Sequence, residues 1–269
     1  MRRIIILFIV LLIAAGCQSS EDSDKLQVIV STSPYDTFAE SVGEERINVY
    51  VMVPEGANPH SYEPSPKDIA QVSNADAYIK VGSGIDFEEN WFDKLKSVNN
   101  NMTIIDGSEG IDYVEPHLWT SPKNAKKVVS NIYRGFVNLE PEYEKFYKNN
   151  TEKYIADLEE LDKEITQKLR EDNPSYFLVY HGAWENFAEH YNLTQIAVEK
   201  EGKEPSARDL QDTIDLAKKY NISVVLSSPQ FSKKKPQVIA NEINGEIVLI
   251  SPLEKDYINN TLNFANALS

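Results

Sequence analysis

The feature that most constrains the fold is an unbroken helical pattern near the middle of the chain. Tyr143, Phe146, Tyr154, Leu158, Leu161, Ile165 and Leu169 recur at mostly three- and four-residue steps, the period of one helix face. Nothing in 142–170 breaks a helix, Pro141 can open one, and Pro174 lies just past its end. At 1.5 Å per residue this helix is roughly 44 Å long, more than a single α/β crossover needs. A length of 269 residues allows one large domain or two lobes of ordinary size, and in the second case such a helix can run along both lobes as a strut.

The two halves repeat one scheme. Short runs rich in β-branched and aromatic residues fall at 27–31 (QVIVS), 47–53, 77–81 and 102–106, and again at 176–180 (YFLVY), 194–198, 223–227 and 246–250. Helical patterns lie between them at 34–43, 66–74, 87–97 and 124–139, then at 183–191, 206–220, 234–243 and 257–268. Pro34 and Pro66 sit where a first-turn proline is tolerated. Such alternation implies parallel sheets covered by helices. The expected fold is therefore α/β: two parallel-sheet (β/α) lobes, at 26–140 and 173–269, joined by one long backbone helix at 141–172, with a site in the inter-lobe cleft.

The N-terminus reads as an address. Arg2 and Arg3 precede an unbroken apolar run of 12 residues, from Ile4 to Ala15. That is short for a membrane span, which needs roughly 20 residues, and suits a signal-peptide core. The run ends at Ala14-Ala15-Gly16-Cys17, where small residues before the sole cysteine resemble the lipobox of secreted lipoproteins. Residues 1–16 are expected to be a signal peptide, Cys17 to carry lipid that anchors the protein to the membrane, and 17–25 to form a polar tether. One cysteine excludes an internal disulfide and a CxxC zinc ribbon. With 42 acidic against 27 basic side chains, the net charge is −15, a surface that repels phosphate and excludes nucleic acid as a partner. Walker motifs are absent, so the chain is not itself an ATPase.

Of the four histidines, three follow predicted strands: His60 in VPEGANPHSYEP, His117 in VEPHLWTSP and His181 in VYHGAW. Parallel α/β sheets bind ligands beyond the carboxyl ends of their strands. Two of these loops belong to the first lobe and one to the second, so the imidazoles can converge on the cleft. Three neutral imidazoles nearly fill a tetrahedral site for Zn²⁺ or a similar ion. His190, within a helical pattern beside Glu189, reads as a surface residue.

At this point the chain resembles the substrate-binding receptors of zinc and manganese ABC importers. The resemblance covers nearly the whole mature chain. It is carried by PHSYEPSPKDIAQVSNADAYIKVG (59–82), VGSGIDFEENW (81–91), EPHLWTSP (115–122), HGAWENFAEHYNL (181–193), EPSARDL (204–210) and SPQFSKKKPQVIANEING (228–245), in order and with the family's spacing. It implies metal ligands at His60, His117 and His181, and an extracytoplasmic receptor that hands its ion to an ABC permease with an ATPase subunit. A monomer is expected, and no catalysis. The family's fourth ligand, an Asp before a Pro-Leu pair, is Ser251 here (ISPLEKDY), which leaves that position to water or to Asp256. The His-rich loop of many zinc members is missing, since 61–116 contain no His.

Three imidazoles without a carboxylate favour Zn²⁺ on ligand softness, while Cu²⁺, Ni²⁺ and Co²⁺ also suit such ligands. Manganese is the alternative within the family, whose manganese-type members resemble two His with two carboxylates. A secreted zinc hydrolase shares the three-His pattern but needs a general base. No HExxH occurs, and Glu115, two residues before His117, reads as a helix- or turn-surface residue. A receptor for a metal chelate would not need three histidines in these loops. An adhesin role is compatible with metal uptake and leaves no mark in the sequence.

Overall fold

A computed structural model describes residues 25–199 and 205–268. The signal peptide, Cys17 and all but the last residue of the tether lie outside the described residues, as does Glu204 of the EPSARDL segment.

The first sheet holds β1 (Leu26–Val30), β2 (Ile47–Val51), β3 (Ala77–Lys80) and β4 (Thr103–Asp106), in the order β2-β1-β3-β4. The second holds β5 (Tyr176–Val179), β6 (Thr194–Ala197), β7 (Val224–Ser227) and β8 (Glu246–Leu249), in the order β6-β5-β7-β8. Every pairing is parallel. The halves thus share one topology, and the direction of winding reverses beside the first strand of each sheet. Such switch points leave a crevice at the carboxyl ends of the strands. The helices are α1 (Ser33–Gly43), α2 (Pro66–Ser73), α3 (Asp86–Val98), α4 (Pro122–Leu139), α5 (Glu144–Asp172), α6 (Glu185–Tyr191), α7 (Ala207–Lys219), α8 (Lys234–Glu242) and α9 (Tyr257–Asn266). None of the described helices is long and apolar enough to cross a membrane.

The long helix is α5. It buries Tyr147, Thr151, Tyr154, Leu158, Leu161, Ile165 and Leu169 and packs on α1 and α4 of the first half and α9 of the second. Residues of both halves therefore join one core cluster. The helix starts at Glu144, after a 3₁₀ turn over Pro141–Tyr143. Its first turns bury Tyr147 and leave Phe146 only half covered, which corrects the stripe expected from sequence. At about 100° per residue, Tyr147 lies about 20° from Tyr154 around the axis and Phe146 about 80°. Asn173, left-handed with φ 49°, ends the helix, and Pro174 prevents its continuation.

Helix α6 begins at Glu185, later than the 183 expected. Ala183 N–H donates to the His181 carbonyl (2.9 Å) and Trp184 N–H to Gln195 Oε1 (2.9 Å), so residues 181–184 form a tight loop at the cleft. The segment after β8 crosses back to the first lobe: Trp119 Nε1 donates to the Pro252 carbonyl (2.7 Å), Tyr257 hydroxyl to the Trp119 carbonyl (2.8 Å), and Lys255 pairs with Asp36 and Glu40 at 2.8 and 2.9 Å.

Candidate metal centre

Three loops deliver three imidazoles to one point. His60 stands in the long connection between β2 and α2. That loop is held by Asp68, which forms a capping box with Ser65 and accepts hydrogen bonds from the Tyr50 and Tyr62 hydroxyls at 2.6 and 2.8 Å. Burial pushes the Asp68 carboxyl up, but the bonds from Tyr50, Ser65 and Tyr62 outweigh it and hold the group below its ordinary range. His60 N–H also donates to Asn58 Oδ1 (2.9 Å). His117 follows β4 and is nearly fully buried. His181 follows β5, the strand beside the switch point of the second sheet.

The ligand-capable nitrogens of His60, His117 and His181 all lie within 4.8 Å of one another. His60 Nε2 and His181 Nε2 are 3.1 Å apart across the cleft. Nitrogens bound to one tetrahedral Zn²⁺ at ~2.0–2.1 Å would be ~3.3 Å apart, close to the 3.1 Å between His60 and His181.

Each ring is oriented from behind by a carboxylate. His60 Nδ1 lies 2.6 Å from Asp86 Oδ2, His117 Nδ1 2.6 Å from Glu115 Oε2, and His181 Nδ1 2.7 Å from Glu199 Oε2. A carboxylate accepts, so each Nδ1 carries a proton, and in the neutral ring this leaves Nε2 as the lone-pair donor. Two lone pairs facing at 3.1 Å repel unless a cation lies among them. Carboxylate–histidine pairs of this kind surround metal sites, where they fix the tautomer and raise ligand basicity.

Glu115 therefore departs from its expected reading. It is largely buried and engaged with His117, not a surface residue. Asp86 and Glu199 do not stand out in the sequence, although each follows a strand and so obeys the rule that locates the histidines. Asp86 opens α3, below a turn at Gly82 and Gly84 that runs at positive φ (80° and 84°). A Cβ on Gly82 would stand 2.0 Å from Asp106 Oδ1, so only glycine fits there. The buried Glu88 secures the same turn, accepting from Val81 N–H, Gly82 N–H and Ser31 Oγ at 2.6, 2.9 and 2.5 Å.

The imidazoles separate two spaces. On one side is a cleft of about 550 Å³ whose walls include Ile85, Glu185, Gln195 and Glu199. Burial raises the Glu185 carboxyl; Gln195 opposes this by donating to it, while Glu115 and Glu189 add to it. On the other side is a small space closed by Ser228, Gln230, Phe231 and Leu253, so the wall behind the imidazoles is neutral. Ser251 belongs to the support of that wall: its Oγ accepts from Gln230 Nε2 (2.9 Å) and Leu253 N–H (3.1 Å). Asp256 is occupied elsewhere, capping α9 through Asn259 N–H (3.4 Å) and Nδ2 (2.7 Å).

His190 is half-buried against α5 rather than on the surface. Its Nε2 lies 3.2 Å from Asp162 Oδ1 and its Nδ1 3.0 Å from Ser121 Oγ. Burial lowers its pKa; Asp162 opposes this, and Lys123 and Lys126 reinforce it.

Two parallel α/β lobes on one long helix, with three imidazoles meeting between them, define a bilobal receptor scaffold with a metal-capable cleft. The chain belongs to the family described as "Zinc-uptake complex component A periplasmic", whose profile matches residues 28–269. Among its relatives is the high-affinity zinc uptake system protein ZnuA of Bacillus subtilis, 28% identical over 275 residues that span 90% of this chain and 85% of that protein. The manganese-binding lipoprotein MntA of Halalkalibacterium halodurans is 26% identical over 259 residues, spanning 90% and 85%. A crystal structure of ZnuA superposes with a TM-score of 0.87 at 38% identity, covering 91% of this chain and all of that one. A zinc-bound deletion mutant of ZnuA gives 0.86, also at 38% identity, covering 91% and 99%. These names describe metal uptake or metal binding and no catalysed reaction.

Proposed function

We propose that this protein is an extracytoplasmic receptor that binds Zn²⁺ through His60, His117 and His181 and delivers it to an ABC permease and its ATPase subunit. The observation that carries the reading is the convergence of three imidazoles from two lobes, with ligand nitrogens within 4.8 Å of one another and each ring held by a carboxylate at Nδ1. The neutral ligands and the neutral wall behind them suit Zn²⁺ better than Mn²⁺, which prefers hard oxygen donors. The three supporting carboxylates lie close enough to balance a dication without ligating it. Glu115, the base that a hydrolase reading would require, is instead committed to His117 and to Asn186, which supports binding over hydrolysis. The residues divide as a lobe at 26–140, the linking helix at 141–172 and a lobe at 173–269, with lipid on Cys17 holding a monomer to the outer face of the cell membrane.

Elemental analysis of protein purified without added metal, followed by competitive titration with Zn²⁺ and Mn²⁺, tests the function. One equivalent of zinc, held more tightly than manganese, is expected. Tighter binding of manganese would make this a manganese receptor of the same family, and retention of neither ion would overturn the proposal.

A further inference from the structure

The two lobes meet at a second point beside the imidazoles. Asn186, on the first turn of α6 in the second lobe, is 2% exposed. Its Nδ2 donates to the Glu115 carbonyl (2.9 Å) and to Glu115 Oε1 (2.9 Å), and its Oδ1 accepts from Val114 N–H (3.1 Å). All three bonds reach into the loop that bears His117. The other carboxylate oxygen of Glu115 takes His117 Nδ1 (2.6 Å) and His117 N–H (2.9 Å). The remaining two carboxylate–histidine pairs are internal to one lobe: Asp86 and His60 in the first, Glu199 and His181 in the second. Of the three pairs, that of His117 is the one completed from across the cleft.

We propose that Asn186 is a positioning residue through which the second lobe sets the His117 ligand, so that lobe alignment and metal affinity are one equilibrium. This rests on the reading of His117 as a metal ligand. With the lobes aligned, Asn186 holds both the backbone and the carboxylate of Glu115, and His117 Nε2 points at the other imidazoles. When the lobes separate, Glu115 loses a charge-assisted bond and its backbone loses its anchor. His117 is then no longer held in place, which favours release. The deep burial of Asn186 keeps water from replacing those bonds while the cleft is closed.

The chemistry of the pair permits a test by compensation. Asn186→Asp keeps the size and the acceptor for Val114 N–H, but removes the donor and sets a second carboxylate against Glu115. Glu115→Gln keeps an acceptor for His117 Nδ1 and can turn its amide N–H₂ toward that introduced carboxylate. Zinc affinity would be measured by chelator competition for the wild type, both single variants and the double variant, with thermal melting of the metal-free proteins as the fold control. Loss of an outer partner of a metal ligand costs about 10–100-fold in affinity, and Asn186→Asp should fall in that range. Glu115→Gln weakens a support of His117 by itself. The coupling is therefore read as the factor by which Asn186→Asp lowers affinity in each background, and that factor should be smaller with Glu115→Gln than without it. A factor of the same size in both backgrounds, or an Asn186→Asp that binds as wild type, would overturn the coupling. His117→Ala separates the two failures: if it retains wild-type affinity, the ligand assignment itself is wrong. If Asn186→Asp does not fold, Asn186→Ser and its pairing with Glu115→Gln take its place. An Asn186→Ser effect of the same size in both backgrounds would then overturn the proposal, and one that vanishes with Glu115→Gln would support it.

Discussion

At the scale of single residues, the histidines are legible in the sequence and their partners are not. Four histidines in 269 residues are few enough that three in post-strand loops stand out. The acidic residues number 42, so a carboxylate after a strand carries almost no information until its distance to an imidazole is known. Asp86 and Glu199 become visible only as oxygens 2.6 and 2.7 Å from an Nδ1. Glu199 is the more buried of the two, its side chain 7% exposed against 56% for Asp86, and its bond to His181 is therefore less open to water. Glu199→Gln is expected to lower zinc affinity by about 10–100-fold, and Asp86→Asn by less. Parallel titrations check this order, and equal or reversed losses would show that burial does not govern the strength of these supports.

At the scale of elements, periodicity locates every strand and helix to within a few residues, and the departures have local causes. Helix α6 loses its first two expected residues because 181–184 are bent toward the cleft, and α5 buries Tyr147 rather than Phe146 because the phase of the downstream stripe extends back to 147. His190 shows what periodicity misses. A polar residue near the end of a short helix has the pattern of a solvated one, yet the side chains of both His190 and Tyr191 reach Asp162 on α5. Its lowered pKa has a definite consequence. Below about pH 6.5 an unfolded chain takes up a proton that folded His190 resists, so the unfolded state binds more protons and stability falls as pH drops through that value. His190→Gln should therefore flatten the decline in Tm of the metal-free protein between pH 7 and pH 5, as thermal melts at several pH values would show. An unchanged slope would mean that His190 is not the group responsible.

At the scale of the whole molecule, the long helix and the crossing segment at Trp119, Pro252 and Tyr257 give both lobes a common support, while the ligands lie on opposite sides of the cleft. A metal ion held by His60, His117 and His181 as proposed would therefore join the lobes where no covalent connection does. Binding to the folded state alone stabilises it by about 2.7 kcal/mol at a hundred times the dissociation constant, so zinc should raise Tm. Protons compete for the same imidazoles, so the zinc-dependent increment should shrink on acidification. The sequence can suggest that two lobes share the site but not how they touch. The contact of Asn186 with Glu115 depends on how the lobes are oriented, which no local pattern encodes.

The central claim is that His60, His117 and His181 together hold the ion through Nε2. X-ray absorption at the zinc edge of the one-to-one complex tests it most directly. The expected spectrum contains three imidazole nitrogens at about 2.0–2.1 Å with one further light ligand, and one imidazole fewer in each of His60→Ala, His117→Ala and His181→Ala. A wild-type spectrum with two or fewer imidazoles, or a His181→Ala spectrum identical to wild type, would contradict it.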